Sequence, residues 1–200
     1  MPNKSLAVRR AENRAQLKRR LEAHMDENKI INIMQSFSEI HGFEYDKTPV
    51  PYIPFGGIRG PLNDGIFTLY ISRSESRVHG QYHTHFTLKY QNLVPLGFCM
   101  EYVGDPNKKG MGFDERIADL SKDNQINVLT PQVKADLIYA FDKIDNIDEQ
   151  IFNLRSSLRI GESGIALIVS ILFQNIDELN TVYAKVIDIL VSIKSALPEI

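Results

Sequence analysis

Alternating apolar and polar residues predict three strands in the middle of the chain. The strand-like segments are residues 66–73, 81–90 and 96–103. In the second segment polar residues alternate with four large apolar ones, Tyr82, Phe86, Leu88 and Tyr90. One face of the strand should therefore lie in a core and the other outside it. Because the links are short, we expect an antiparallel meander of about three to five strands with a helix covering its apolar face.

The C-terminal third has the longest helical pattern. Apolar residues recur at alternating spacings of four and three over residues 133–158 and again over 165–197. Thr130 and Pro131 make a favourable helix start, because threonine can cap a helix and proline is tolerated at its first position. The turn-like residues between the two runs would form a hinge. The pattern predicts a long C-terminal antiparallel helical hairpin with coiled-coil-like packing.

This hairpin would leave apolar surface for another element to cover. Six apolar residues fall outside its seam: Ile168, Ile171, Phe173, Val182, Ile187 and Ile189. A single partner helix cannot cover them all. A two-chain four-helix bundle is the favoured solution, which predicts a homo-oligomer, in its simplest form a homodimer, through residues 130–200. Packing within the chain against the sheet or the N-terminal helices is the alternative.

The N-terminal region is predicted to be helical and basic. Residues 3–28 are mostly good helix formers, and a second amphipathic helix over 29–40 should end at Gly42. Residues 1–29 hold eight Lys or Arg against four acids, whereas 131–200 hold six against ten. A basic helix can follow an anionic ligand. We therefore predict a nucleic-acid or anion-binding set comprising Arg9, Arg10, Arg14, Lys18, Arg19, Arg20, Arg73 and Arg77. A solvated helix face is the plainer interpretation.

Two segments disrupt regular structure and help to divide the chain. Residues 46–65 contain four Pro and four Gly, so we expect a loop or sheet edge there, without a helix or a paired central strand. Residues 104–129 are expected to be a connector with a short helical patch at 115–120. The predicted fold class is α+β, with a helical segment over 1–45, an antiparallel sheet core with connector over 46–129, and the helical hairpin over 130–200.

Composition narrows the class of protein. The 200 residues have a formal net charge of −2 and a single cysteine, Cys99, which cannot form an internal disulfide and suits a reducing compartment. The first 20 residues lack a secretory signal, and no apolar run approaches the length of about 20 residues that a bilayer span needs. We expect a cytoplasmic protein without a membrane span. Collagen, low-complexity chains and large multidomain enzymes are excluded.

The best chemical lead is a pair of histidines. His83 and His85 share the polar face of the second strand about 6.5 to 7 Å apart, close enough to bind one metal ion or to act as an acid and base. If the strands pair as successive hairpins, Tyr70 faces His83 and Glu101 faces His85. These four residues form the candidate catalytic set, and the two histidines a candidate divalent-metal site. Two histidines on a half-wet strand also occur without function.

Two classes of function follow from these patterns. The leading hypothesis is a cytoplasmic oligomeric binding or assembly protein that presents a sheet face and a basic helix to a partner. Nucleic acid is the favoured partner, and an acidic protein is the other candidate. The alternative is a small hydrolase or nuclease-like enzyme that uses His83, His85 and Glu101. The residues leave open whether the protein is an enzyme, and they identify no substrate.

Overall fold

The computed structural model describes residues 27–73, 82–90, 99–103, 111–112, 117–119, 130–151, 156–161, 163–169 and 172–197. These residues form three helices, α1 (Glu27–His41), α2 (Pro131–Ile151) and α3 (Ile176–Ala196). They also form eight strands, β1 (Glu44–Asp46), β2 (Gly57–Leu62), β3 (Gly65–Arg73), β4 (Tyr82–Lys89), β5 (Cys99–Val103), β6 (Ile117–Asp119), β7 (Ser156–Gly161) and β8 (Gly164–Val169). The α+β class predicted from the sequence is confirmed.

All eight strands belong to one sheet in which neighbouring strands are antiparallel. Their order is β1-β2-β3-β4-β8-β7-β5-β6. The first four strands follow chain order, as expected of a meander. The hairpin β7-β8 then lies between β4 and β5, so the sheet is completed from the C-terminal part of the chain. The predicted direct pairing of β4 with β5 is therefore wrong.

The long two-helix hairpin predicted for the C-terminal region is replaced by a helix, a β-hairpin and a second helix. The predicted hinge does form a turn, but it joins β7 to β8, with Gly161 opposite Gly164. Leu158 and Ile160 alternate with polar residues as a strand requires, and the run from Ile165 onwards is rich in branched side chains. A short apolar run suits both a buried strand and a buried helix, so periodicity alone could not separate them.

The helices pack on one face of the sheet and enclose the core. Strands β3, β4, β7 and β8 contribute alternate apolar residues to it: Phe67, Leu69, Ile71, Phe86, Leu88, Leu158, Ile160, Ile165, Leu167 and Val169. Tyr183 of α3 lies edge-on to Phe37 of α1 and Phe67 of β3, with ring centroids 5.0 and 5.3 Å apart. Phe141 of α2 stacks on Tyr102 of β5 at 4.3 Å. Each helix is thus attached to the sheet through an aromatic contact or through a neighbouring helix.

Four of the six apolar residues outside the predicted seam are covered by core packing within the chain. Phe173, Val182 and Ile189 are buried, and Ile187 is partly buried against the core. Ile168 lies half-buried on the opposite face of the sheet, and Ile171 lies outside the described residues. Most of the apolar surface that suggested a homo-oligomer is therefore taken up by intrachain packing, the alternative stated above. The oligomeric state itself stays a prediction.

Helix ends agree with their capping residues. Thr130 accepts a hydrogen bond from the backbone N–H of Val133 through Oγ1 at 3.3 Å, so the predicted start of α2 is confirmed. The helix predicted over 29–40 is α1, and Gly42 after it has a left-handed φ of 68°, as a C-terminal cap requires. Asn175 caps α3 by accepting from the backbone N–H of Glu178 at 2.8 Å.

Two local predictions are wrong. Residues 57–62 form β2, which pairs on both sides, although a proline lies within it. β1 reaches only residues 57–59, so Pro61 lies where β2 has a single neighbour and its missing N–H costs little. Residues 117–119 form β6 at the other sheet edge, in place of the expected helical patch. Tertiary pairing outweighed the local sequence preferences in both segments.

No helix in the described part of the chain is long and apolar enough to cross a membrane. The predicted helix over residues 3–28 lies outside the described residues, apart from its last two positions, which begin α1. Most of the connector over 104–129 also lies outside them. The expected N-terminal basic helix therefore stays a prediction.

Replacing Phe141 tests how α2 is docked. This ring is fully buried, although it lies outside the 4-3 seam that the sequence suggested. We expect Phe141→Ala to lower the free energy of unfolding by about 3 to 5 kcal/mol, because it opens a cavity beside Tyr102. Tyr139→Ala, at a position 64% exposed on the same helix, should change it by less than about 0.5 kcal/mol. Equal effects in urea denaturation would contradict this packing.

Candidate functional site

The sheet face opposite the helices carries the four residues of the predicted catalytic set, Tyr70, His83, His85 and Glu101. Two rows of side chains cross this open face, with one residue from each strand that a row crosses. The threonine row consists of Glu44, Arg59, Thr68, Thr87, Ala166, Arg159, Glu101 and Ala118. The tyrosine row consists of Asp46, Gly57, Tyr70, His85, Ile168, Ser157 and Val103. No described helix packs on the middle of these rows, whose side chains are half-buried.

His85 is held by two residues of β3. It lies opposite Tyr70, and the two rings stack with centroids 4.4 Å apart and planes 12° apart. Its Nε2 atom is hydrogen-bonded to the Ser72 hydroxyl at 2.7 Å. Burial, followed by the charges of His83 and Arg159, lowers the pKa of His85 to about 4. This imidazole is therefore neutral at pH 7 and fixed in orientation.

His83 lies opposite Ser72, two residues along β4 from His85. Burial lowers the pKa of this imidazole as well. The sequence-based register paired Tyr70 with His83, and the structure moves that partner to His85. The expectation that the two histidines share the open face of one strand with Tyr70 beside them is otherwise met.

The structure does not bring Glu101 to the histidines. Glu101 lies on β5 opposite Arg159, and strands β8 and β7 separate it from β4. Three strand spacings amount to about 14 Å. The predicted constellation of Tyr70, His83, His85 and Glu101 is therefore split, because the β-hairpin occupies the position that β5 was expected to take beside β4.

Among the described residues, no carboxylate accompanies the contact between Ser72 and His85. In a serine–histidine pair, the imidazole takes a proton from the hydroxyl and becomes cationic, and a carboxylate normally orients it and stabilises that charge. Here the groups that act on the charge of His85 are a second histidine and Arg159, and both oppose protonation. The geometry suits a hydrogen bond that holds the imidazole more than it suits proton transfer.

The described residues also contain no group of three or more His, Cys, Asp or Glu side chains placed to bind a metal ion. Within the described residues, His83 and His85 therefore supply two possible metal ligands, and the Nε2 atom of His85 is hydrogen-bonded to Ser72. Zinc sites in proteins usually take three or four protein ligands. The divalent-metal hypothesis gains no further ligand within the described part of the chain.

A group that the sequence reasoning missed lies across β5 and β7. One carboxylate oxygen of Glu101, Oε1, accepts hydrogen bonds from the Ser157 hydroxyl and from Nε of Arg159, both at 3.0 Å. The Glu101 side chain is 18% exposed and that of Arg159 is 58% exposed. Glu101 therefore holds the guanidinium of a largely exposed arginine through its Nε atom. Ser157 and Arg159 alternate with Leu158 and Ile160, a pattern that indicates a strand with the two polar residues on one face. The interpretation of this segment as a helix did not use that pattern.

Most of the predicted anion-binding residues lie outside the described residues. These are Arg9, Arg10, Arg14, Lys18, Arg19, Arg20 and Arg77. Arg73 is described and exposed at the end of β3. Successive residues of a strand lie on opposite faces of the sheet. Arg73 is therefore on the same face as the core residues Leu69 and Ile71, whereas Ser72 is on the open face. The described structure therefore does not group Arg73 with the histidines.

Comparisons with known proteins identify a shared fold and no family. No protein-family model matches the chain, and no curated protein matches it. Among solved structures, the crystal structure of the mycobacterial trehalose monomycolate transport factor A, TtfA, matches with a TM-score of 0.50 and 8% sequence identity. The match covers 86% of this chain and 97% of that chain. At this identity the likeness establishes the architecture alone.

The low pKa of His85 predicts a pH dependence of stability. The folded-state pKa of about 4 lies below the ordinary value of 6.5, so the unfolded chain binds the proton more readily. The contribution of this group to stability should be complete above about pH 6.5 and fall as the pH drops towards 4. His85→Asn should flatten this part of the profile in urea titrations. Ser72→Ala, which keeps the imidazole, should retain it, and an unchanged slope in His85→Asn would contradict the assignment.

Metal addition tests the two-histidine site. Because the Nε2 atom of His85 is already hydrogen-bonded to Ser72, we expect Zn²⁺, Mn²⁺ or Ni²⁺ to leave the melting temperature of the folded protein unchanged. The measurement is thermal unfolding over a range of metal concentrations, with the double variant His83→Ala, His85→Ala as control. A concentration-dependent rise that the double variant abolishes would restore the metal hypothesis.

Proposed function

We propose that the protein is a non-catalytic binding or assembly protein that presents the open sheet face to a partner. The observation that carries the proposal is the arrangement of this face. Its central side chains are half-buried and mostly polar, a positioned arginine lies beside them, and no described helix covers them. A sheet face of this kind, backed by a rigid core, is a suitable platform for recognition.

The chemistry of the face supports binding more than catalysis. The imidazole of His85 is kept neutral, and the carboxylate that could assist it lies about three strand spacings away on β5. Glu101 already accepts hydrogen bonds from Ser157 and Arg159. These contacts place and orient side chains without assembling an acid and a base on one reacting atom.

The matched fold is compatible with such a role. The protein of similar structure is named as a transport factor, a term that describes a contribution to the movement of another molecule. The fold likeness does not identify a ligand for this chain. We propose a cytoplasmic location because the single cysteine, Cys99, suits a reducing compartment.

Site-specific crosslinking tests which surface meets the partner. Thr87 lies at the centre of the open face. We expect p-benzoylphenylalanine in its place to form a crosslink to a partner protein when the substituted chain is expressed in cells of its native organism. The same group in place of Tyr139, which is exposed on α2 on the helix side of the sheet, should not form it. Mass spectrometry of the adducts reports the partner, and adding Arg159→Gln should reduce the yield at Thr87.

Two outcomes would contradict the proposal. One is crosslinking at position 139 with none at 87, which would move the interface to the helices. The other is ester or nucleic-acid hydrolysis by the purified chain that is lost in His83→Ala and His85→Ala. That result would make the enzyme hypothesis correct and the binding role secondary.

A further inference from the structure

A shallow trough crosses the open face along the threonine row. Its floor is made by the small side chains of Thr68, Thr87 and Ala166, which lie in register on β3, β4 and β8. The tyrosine row borders it with three larger side chains, Tyr70, His85 and Ile168. On the other side, Ile66 and Lys89 border the floor over β3 and β4, and the same row continues with Gly164 and Gly161 over β8 and β7. Differences in side-chain size therefore make a trough that runs perpendicular to the strands and is open on one side over β8 and β7.

An exposed arginine stands at each end of this trough. Arg59 on β2 lies opposite Thr68, and Arg159 on β7 lies opposite Ala166. Four strand spacings separate the two arginine backbones, a distance of about 19 Å. The positively charged groups thus lie at the ends of the floor, with small side chains between them.

The charged side chains along the trough are all basic. The five adjacent strands β2, β3, β4, β8 and β7 contain no Asp or Glu. Their open face carries Arg59, Lys89 and Arg159. Acidic side chains occur on the flanking strands, where Glu44 lies outside Arg59 and Glu101 outside Arg159. The centre therefore favours an anionic ligand, and the flanks disfavour extension of negative charge beyond the arginines.

The guanidinium of Arg159 is oriented before such a ligand binds. Glu101 accepts from its Nε, so the guanidinium is oriented while the remaining N–H groups stay available to an external acceptor. Among the described residues, Arg159 has no other hydrogen-bond acceptor. A guanidinium held in one orientation loses less entropy when it binds a carboxylate through two parallel hydrogen bonds. Glu101 and Ser157 are thus positioning residues for this contact.

We propose that the trough binds an extended acidic segment of a partner protein, with one carboxylate on Arg59 and a second on Arg159. This inference rests on the proposed binding function and specifies the chemistry of the partner. An extended chain advances about 3.3 Å per residue, so two acidic residues six positions apart span about 20 Å. The intervening residues must be small or slender to lie over Thr68, Thr87 and Ala166.

The face is less suited to single-stranded nucleic acid. Platforms for nucleic acid usually stack successive bases on several aromatic side chains. On the described part of the open face, Tyr70 is the only Phe, Tyr or Trp residue, and its ring is already stacked on His85. Cations at the two ends of a small-residue floor match spaced carboxylates better than a continuous row of phosphates.

Fluorescence anisotropy with labelled peptides tests the proposal on the folded chain. The probe has two glutamates six positions apart, joined by Gly, Ser and Ala. The second peptide has the same composition with the glutamates two positions apart, and the third has glutamines in their place. We expect the first peptide to bind about 10-fold more tightly than the third and more tightly than the second. Its affinity should fall as salt is raised.

Variants connect this binding to the trough. Arg59→Gln and Arg159→Gln should each weaken binding of the first peptide by roughly 3-fold, since each removes one of the two charge-assisted contacts. Lys29→Gln removes the same charge from the exposed start of α1 on the helix side and should leave binding unchanged. Ala166→Leu, which fills the floor and keeps both arginines, should weaken it as well. Thermal unfolding of each variant verifies that the fold is retained.

Three results would overturn the acidic-segment proposal. They are the absence of detectable binding, equal affinity for both glutamate spacings, and binding that the arginine variants leave intact. Tighter binding of a ten-nucleotide oligothymidine that is lost in the same variants would make the ligand nucleic acid and the proposal wrong. The binding function would survive any of these results if Thr87 still crosslinks to a partner, so the two failures are distinguishable.

Discussion

Burial of the β7-β8 hairpin in the middle of the sheet is the interaction on which the rest of the structure depends. Leu158, Ile160, Ile165 and Leu167 of this hairpin are fully or almost fully buried, and β8 pairs with β4 while β7 pairs with β5. Without it, β5 and β6 would have no described sheet neighbour linking them to the first four strands. The same insertion separates α2 from α3 in the chain, and both helices then pack on the face that the hairpin helps to build.

This arrangement also decides what the open face can do. Inserting two strands moves Glu101 away from the histidines and places it beside Arg159, where it becomes an orienting group and ceases to be a candidate catalytic acid. The imidazole of His85 is left with Tyr70 and Ser72 and with a low pKa. The fixed neutral imidazole and the positioned guanidinium support the proposed binding function.

Local signals in the sequence identified most elements whose neighbours in space are also neighbours in the chain. Thr130 and Pro131 located the start of α2, Gly42 located the end of α1, and strict alternation located β3 and β4. The segment Asn175 to Glu178 carried an equally clear capping signal for α3 that was overlooked because the 4-3 pattern continued through it. Of the candidate site, the shared face of His83 and His85 followed from the two-residue period of a strand.

By itself, the sequence determined the α+β class, the polar and apolar faces of the central strands, the start of α2 and the end of α1, because these depend on interactions within a few residues. Only the tertiary structure decided that residues 156–169 are strands and that Glu101 meets Arg159. A short apolar run satisfies a helix or a strand equally well in isolation. The choice falls to backbone pairing with distant segments, here β4 and β5, whose positions in space no local pattern records.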